Sequence, residues 1–158
     1  MKVAVSYFAQ LRNFKPNMVP ISTALYDPKW FHDYKGVNNK FLDKNGVLNG
    51  VRCKDLAPGR TCSTLCCGAS NCNNSPKSCE FLKKYKEQLD SIDKERFRAY
   101  CNAVAAQCAR LLNISTNDIT LVFMVYEKYD NPCSERNALL QFLGSCGYDA
   151  KELSYPIG

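Results

Sequence analysis

Four cysteines, Cys62, Cys66, Cys72 and Cys79, are separated by three, five and six residues in a stretch rich in Gly, Ser and Asn. Thiolates spaced this way on a pliable loop can close a tetrahedral site around zinc at ~2.3 Å. Six of the chain's ten cysteines fall between Cys53 and Cys79. Crowded cysteines in a reducing compartment point to metal before disulfides. Cys79 opens an expected helix, where the positive dipole end favours its thiolate. The adjacent pair Cys66 and Cys67 leaves the choice between those two open. Four thiolates would fill the coordination shell and leave no position for water, so the expected role of zinc is structural. An iron–sulfur cluster is the alternative cofactor, and disulfides or free thiols are the plainest reading. Cys53 reads as an incidental thiol.

A second set of reactive residues follows a long apolar run: Tyr126-Glu127-Lys128-Tyr129-Asp130-Asn131-Pro132-Cys133-Ser134-Glu135-Arg136. In open α/β sheets, ligands bind beyond the carboxyl ends of strands and near helix N-termini. If Asn131 caps a helix with Pro132 in its first position, the N–H groups of Cys133 and Ser134 face an anion. Arg136 would add a bidentate clamp. Glu127 is the candidate base or ribose ligand, and Cys133 a candidate nucleophile. Against the nucleophile stands the absence of a Cys-x5-Arg loop, and His32, the only histidine, offers no secure partner. The plain alternative for the whole segment is a capped helix with solvated charges.

The elements that must position these groups are legible from pattern. Lys2–Tyr7 alternates and is valine-rich, so it reads as a strand. Met18–Leu25 reads as a second, with Pro20 favouring an edge or a strand start. Lys40–Lys44 and Val47–Arg52 flank Asn45-Gly46, a hairpin signal. Ser78 is the expected cap of a helix burying Phe81, Leu82, Tyr85 and Leu89. Asp93 is the expected cap of a longer helix with the stripe Phe97, Tyr100/Cys101, Val104, Cys108 and Leu111/Leu112, in which the two cysteines are core. Ile119–Tyr126 is a continuous apolar run, the mark of a central strand covered on both faces. A helix burying Leu139, Leu140 and Leu143 ends near Gly144 or Gly147, and Tyr148–Leu153 is a last strand. Strand, helix, strand at this spacing implies parallel pairing. The expectation is one domain over residues 1–158: a small three-layer, Rossmann-like α/β fold with a mainly parallel sheet. Residues 39–79 form an inserted hairpin and cysteine-rich loop.

Composition narrows the classes. At 158 residues the chain can bury a real core, and its 46% hydrophobic content argues against disorder. The first residues carry Gln10 and Arg12 inside their apolar run and no small-residue cleavage site, unlike a signal peptide. No stretch approaches membrane-spanning length, so the expected location is the cytoplasm. The net charge of +6 is uneven, with ten Lys/Arg against four Asp/Glu in residues 1–60 and eleven of each after them. A basic first third can attract nucleic acid or a phosphorylated small molecule, or simply keep the protein soluble.

At these residues the chain resembles the domain of unknown function 488 family of bacterial and phage proteins. The likeness rests on Tyr126-Glu127-Lys128…Cys133-Ser134-Glu135-Arg136, on Tyr7-Phe8-Ala9…Leu11-Arg12-Asn13, and on Pro20-Ile21-Ser22…Pro28-Lys29-Trp30-Phe31. A cysteine-bearing subgroup is similar to residues 43–90, including the four candidate ligands. Cys53 and Cys67 fall outside that pattern. Ser134 stands where many relatives carry histidine, which weakens a proton-transfer role there. The resemblance implies a compact α/β fold and a bacterial or phage cytosolic origin, and it names no activity.

The functional expectation is a protein that binds a nucleotide-like, phosphate-bearing ligand at the strand ends. The pocket would lie between Tyr7 and Arg12, Ser22, Lys29 and Trp30, and Tyr126, Glu127, Cys133, Ser134 and Arg136. As an enzyme it would hydrolyse a glycosidic or phosphate-ester bond, with Glu127 as base. The alternatives are nucleic-acid binding through the first 60 residues and a metal-stapled protein–protein adaptor.

Overall fold

The computed structural model describes residues 1–29, 31, 50–66, 72–127 and 131–157. The Asn45-Gly46 turn, Trp30, His32 and Cys67 lie outside the described residues.

Five strands form one sheet in which every pairing is parallel: β1 (Lys2–Tyr7), β2 (Met18–Ser22), β3 (Val51–Arg52), β4 (Thr120–Val125) and β5 (Lys151–Glu152), in the order β3-β2-β4-β1-β5. β4 is central. It pairs with β1 from Lys2↔Thr120 to Tyr7↔Val125 and with β2 from Met18↔Thr120 to Ser22↔Met124. Residues 121–125 are wholly buried, which explains why this strand reads as an unbroken apolar run. The expected α/β fold with a parallel sheet is the observed one. Pro20 sits in the middle of β2, and β2 lies between β3 and β4, rather than at the expected edge or strand start.

The helices are α1 (Arg60–Ser63), α2 (Glu80–Asp90), α3 (Lys94–Leu112) and α4 (Arg136–Ser145). Side chains alternate across a strand, and the two faces have different covers. Val3, Val5, Ile21, Leu121 and Phe123 pack with residues of α2, α3 and α4. Val122 and Met124 pack with Phe8, Phe14 and Phe31, and with the C-terminal Leu153 and Ile157. Among the described residues, no helix is long and apolar enough to cross a membrane.

Several local expectations hold. α2 buries Phe81, Leu82, Tyr85 and Leu89, and Asp93 caps α3 by accepting the Arg96 N–H at 3.0 Å. Others are corrected. Cys79, not Ser78, occupies the N-cap of α2, without a side-chain bond. The inner face of α3 is Phe97, Cys101, Ala105, Cys108 and Ala109, while Tyr100, Val104 and Leu112 are half-buried and Leu111 is exposed. Alanine and cysteine take the inside positions because small side chains let a helix lie close to its neighbours. The last expected strand shrinks to Lys151–Glu152. Val51–Arg52 joins the main sheet as its parallel edge beside β2. The residues after it also enter the core: Leu56 is fully buried and its carbonyl accepts the Tyr85 hydroxyl at 2.7 Å, and Cys53 and Cys62 are buried. Cys53 is thus a core residue rather than an incidental thiol.

Candidate functional site

β4 ends at Val125, and the chain turns out of the sheet through Tyr126 and Glu127. A cavity of ≈ 760 Å³ opens there, at the carboxyl end of the central strand. Such crevices are the usual ligand sites of parallel α/β sheets. Glu127, Glu135 and Cys133 line the cavity, and so do Cys66, Cys72 and Cys79. The two clusters that stand apart in sequence therefore share one space.

The approach to α4 differs from the expected capped helix. Asn131 Oδ1 accepts the Cys133 N–H at 2.9 Å, and the Asn131 carbonyl accepts the Ser134 N–H at 3.3 Å. This is a self-contained Asx turn, and α4 starts only at Arg136. The two N–H groups expected to bind an anion are consumed inside the turn. Cys133, half-buried and three residues before the helix, also lacks the helix-start position that was to activate its thiol.

The turn instead buries a network. Ser134, Glu135 and Arg136 are 1%, 5% and 3% exposed. Ser134 Oγ donates to Glu127 Oε2 at 3.2 Å and accepts the Arg136 N–H at 3.2 Å. The guanidinium of Arg136 donates through Nε to Glu152 Oε2 at 3.0 Å and through Nη2 to the Glu127 carbonyl at 2.8 Å, and it lies 5.8 Å from the centre of the Tyr7 ring. Glu152 Oε1 in turn accepts the Tyr155 hydroxyl at 2.6 Å. Arg136 faces inward and holds the main chain at Glu127, rather than standing in the cavity as an anion clamp.

Glu135 is the residue the sequence reading missed. Its carboxyl is buried, and it lines the same cavity as Glu127. Burial, and next the charge of Glu127, push it up to about 7, against the opposing pull of Arg136. A carboxyl buried near a second carboxyl is costly to ionise, which favours its protonated form. The signal was present as a Glu eight residues after Glu127 in the same segment, but nothing local marks it as buried.

The other expected site residues are dispersed. Tyr126 lines the cavity and is 49% exposed. Tyr7 is buried beneath Arg136, with its hydroxyl accepting from Gln10 Nε2 at 2.8 Å. Ser22 is fully buried and donates to Asp27 Oδ1. Arg12 and Lys29 are exposed and do not line the cavity. Trp30 lies outside the described residues.

Of the four expected metal ligands, Cys66 is exposed and Cys72 and Cys79 are half-buried on the shared wall. The Cys72 sulfur accepts the Asn74 N–H at 3.4 Å. Cys62 is buried behind them, with its thiol donating to the Phe81 carbonyl at 3.3 Å and pushed up by burial and by the charges of Glu135 and Cys79. The donor chemistry suits a thiophilic ion. The placement does not yet make a site, since among the described residues no three Cys, His, Asp or Glu side chains gather closely enough to hold one.

Fold and site define a small, all-parallel α/β domain with a carboxyl pair at the end of its central strand. Compared with family models, curated proteins and solved structures, the chain matches none. The likeness to the domain of unknown function 488 family rests on the sequence motifs alone.

Proposed function

We propose that the chain is a small acid–base enzyme that takes an uncharged or cationic molecule into the strand-end cavity. Glu127 and Glu135 work on that molecule together, one as base and one as acid. The observation that carries this reading is a buried carboxyl, Glu135, that lines one open cavity together with a second carboxyl, Glu127. Environments that push two acids apart in strength assign one as base and the other as acid. Glu127 takes a proton from water as the water oxygen attacks the substrate, and Glu135 gives a proton to the leaving group. The pair is then restored by one proton passing from Glu127 to Glu135.

The expected phosphate finds no support in this cavity. None of the described lining residues is Lys or Arg, whereas Glu80, Glu127 and Glu135 all line it. A phosphate there would meet like charge in a partly dry space, an arrangement that disfavours binding. Of the two bonds expected, a glycosidic bond suits the site and a phosphate ester does not.

The test is turnover of nucleosides and simple glycosides, followed by mass spectrometry, with Glu127→Gln and Glu135→Gln. Each variant should lower kcat by ~100-fold or more while ligand binding survives. Wild-type turnover in both would remove the pair from the mechanism.

Zinc in the cysteine segment is a separate proposal. Its support is the soft donor set and the common wall shared by Cys66, Cys72 and Cys79, and its role would be structural. Elemental analysis of protein purified without oxygen should find one zinc per chain in colourless protein. Colour would indicate the iron–sulfur alternative, and neither metal would end the proposal.

A further inference from the structure

Among the described residues, five large apolar side chains stand exposed, and three of them, Tyr26, Leu65 and Tyr126, gather on the strand-end cavity. Exposed apolar surface collected in one place marks a binding site. Tyr126 is also held in position. Its ring packs 5.0 Å from the ring of Phe8, tilted by 46°, and its hydroxyl donates to the Tyr26 carbonyl. A half-exposed aromatic ring that is already ordered forms a platform that loses little entropy when something flat is laid against it.

Glu127 and Glu135 line the same cavity. A carboxyl that keeps its proton offers one O–H donor, and a carboxylate offers only acceptors. That combination matches an edge that carries a ring nitrogen beside an N–H or amino group, the edge that purines and pyrimidines present. A saturated sugar can lay a C–H face on Tyr126, but it offers the carboxyls only hydroxyl groups and lacks the paired ring nitrogen and N–H edge. A phosphorylated ligand brings negative charge to a wall whose described ionisable carboxyls are Glu80, Glu127 and Glu135. The cavity, at ≈ 760 Å³, falls within the ~300–1,000 Å³ of small-molecule sites.

We infer that the cavity takes a flat nitrogen heterocycle of the nucleobase or nucleoside class, uncharged or cationic, with its ring against Tyr126 and its polar edge on Glu127 and Glu135. The inference rests on the acid–base reading of the same cavity and names the substrate class for it.

The experiment is calorimetric titration of the full chain with adenosine, cytidine, their 5′-monophosphates and methyl riboside, beside a carbon-13 NMR titration of the glutamate carboxyls. Adenosine or cytidine should bind, its 5′-monophosphate should bind at least ~10-fold more weakly, and methyl riboside should not bind. Tyr126→Leu, which keeps apolar bulk but removes the π face, should weaken nucleoside binding by about 5- to 100-fold, the range of a lost base–aromatic stack. Tyr26→Ala, at a side chain that is 65% exposed, guards against a Tyr126 variant that folds poorly, and should weaken binding in the same direction. Methyl riboside binding as well as the nucleosides, or monophosphates binding more tightly, would overturn the inference. So would no nucleoside binding while a buried glutamate still titrates near neutrality, a result that leaves the carboxyl pair standing. Nucleoside binding with every glutamate titrating in the ordinary carboxylate range would keep the ligand class and sink the acid–base reading instead.

Discussion

Replacing Arg136 by Met should unfold the protein at a markedly lower temperature, because the guanidinium is sealed into the network behind the cavity. It is 3% exposed, pairs with Glu152 at 3.0 Å and holds the Glu127 carbonyl at 2.8 Å. Removing one partner of a buried ion pair costs ~3–5 kcal/mol, because the other charge is left unpaired. Glu152 is 23% exposed and keeps the Tyr155 hydroxyl at 2.6 Å, which places the loss at the low end. Losing a donor to the Glu127 carbonyl adds ~1 kcal/mol, and the apolar Met side chain returns a similar amount. The net is ~3 kcal/mol. For a chain of this size, ~2–4 °C per kcal/mol makes it a fall of ~6–12 °C in Tm. The assay is thermal unfolding by circular dichroism at pH 7. The comparison is Lys151→Ala, which breaks a pair 78% and 89% exposed and should cost no more than ~0.5 kcal/mol. Adding Glu152→Gln to Arg136→Met should restore ~1–2 kcal/mol by removing the stranded charge. An Arg136→Met protein as stable as Lys151→Ala would show that the guanidinium is not held in this network, and the account of how Glu127 is positioned would fall with it.

Two further outcomes follow from the buried groups. Burial, and then the charge of Glu127, raise Glu135 from 4.5 to about 7, so the folded state binds its proton more tightly than the unfolded state. The resulting stability is full below the unfolded value and is lost as pH rises through about 7. Urea unfolding at pH 5, 6, 7 and 8 should show stability falling across that range, and Glu135→Gln should flatten the fall; an unchanged slope in the variant would refute the assignment. In the presence of a chelator, native labelling with a maleimide should modify Cys66, Cys72, Cys79 and Cys133 well before Cys53, Cys62, Cys101, Cys108 and Cys146. The latter five are buried, and burial pushes the Cys53 thiol up to about 11 and Cys101 and Cys108 up to about 12. Zinc should then protect Cys66, Cys72 and Cys79 while leaving Cys133 reactive, as read by peptide mass spectrometry. Early labelling of Cys101 or Cys108 would contradict the packing of α3 on the sheet.

The misreadings share a cause. Asn131-Pro132 has the composition of a helix start, but its side chain closes on Cys133 instead, and α4 begins later. Arg136 looked like an exposed clamp because a cation near a helix start usually is one. Its partner, Glu152, lies on β5 and reaches it only because β5 pairs with β1 at Ala4↔Lys151 and Val5↔Glu152. The cysteine spacing describes reach along the chain. It says nothing of the direction of each thiol, and Cys62 points into the core.

By itself the sequence determined the elements and their class: the alternating valines of β1, the apolar run of β4, the stripe of α2 and the Asp93 cap. Each is written in the contacts of residues a few positions apart, where periodicity and backbone sterics act. Only the tertiary structure decided that Glu135 is buried beside the cavity that Glu127 lines, that Arg136 turns inward to Glu152, and that the cysteines and the carboxyls face one cavity. Those outcomes depend on which strand ends and loops the parallel sheet brings side by side, and on how much water remains between them. Charge and burial at such a site are set by neighbours distant along the chain, so no local pattern records them.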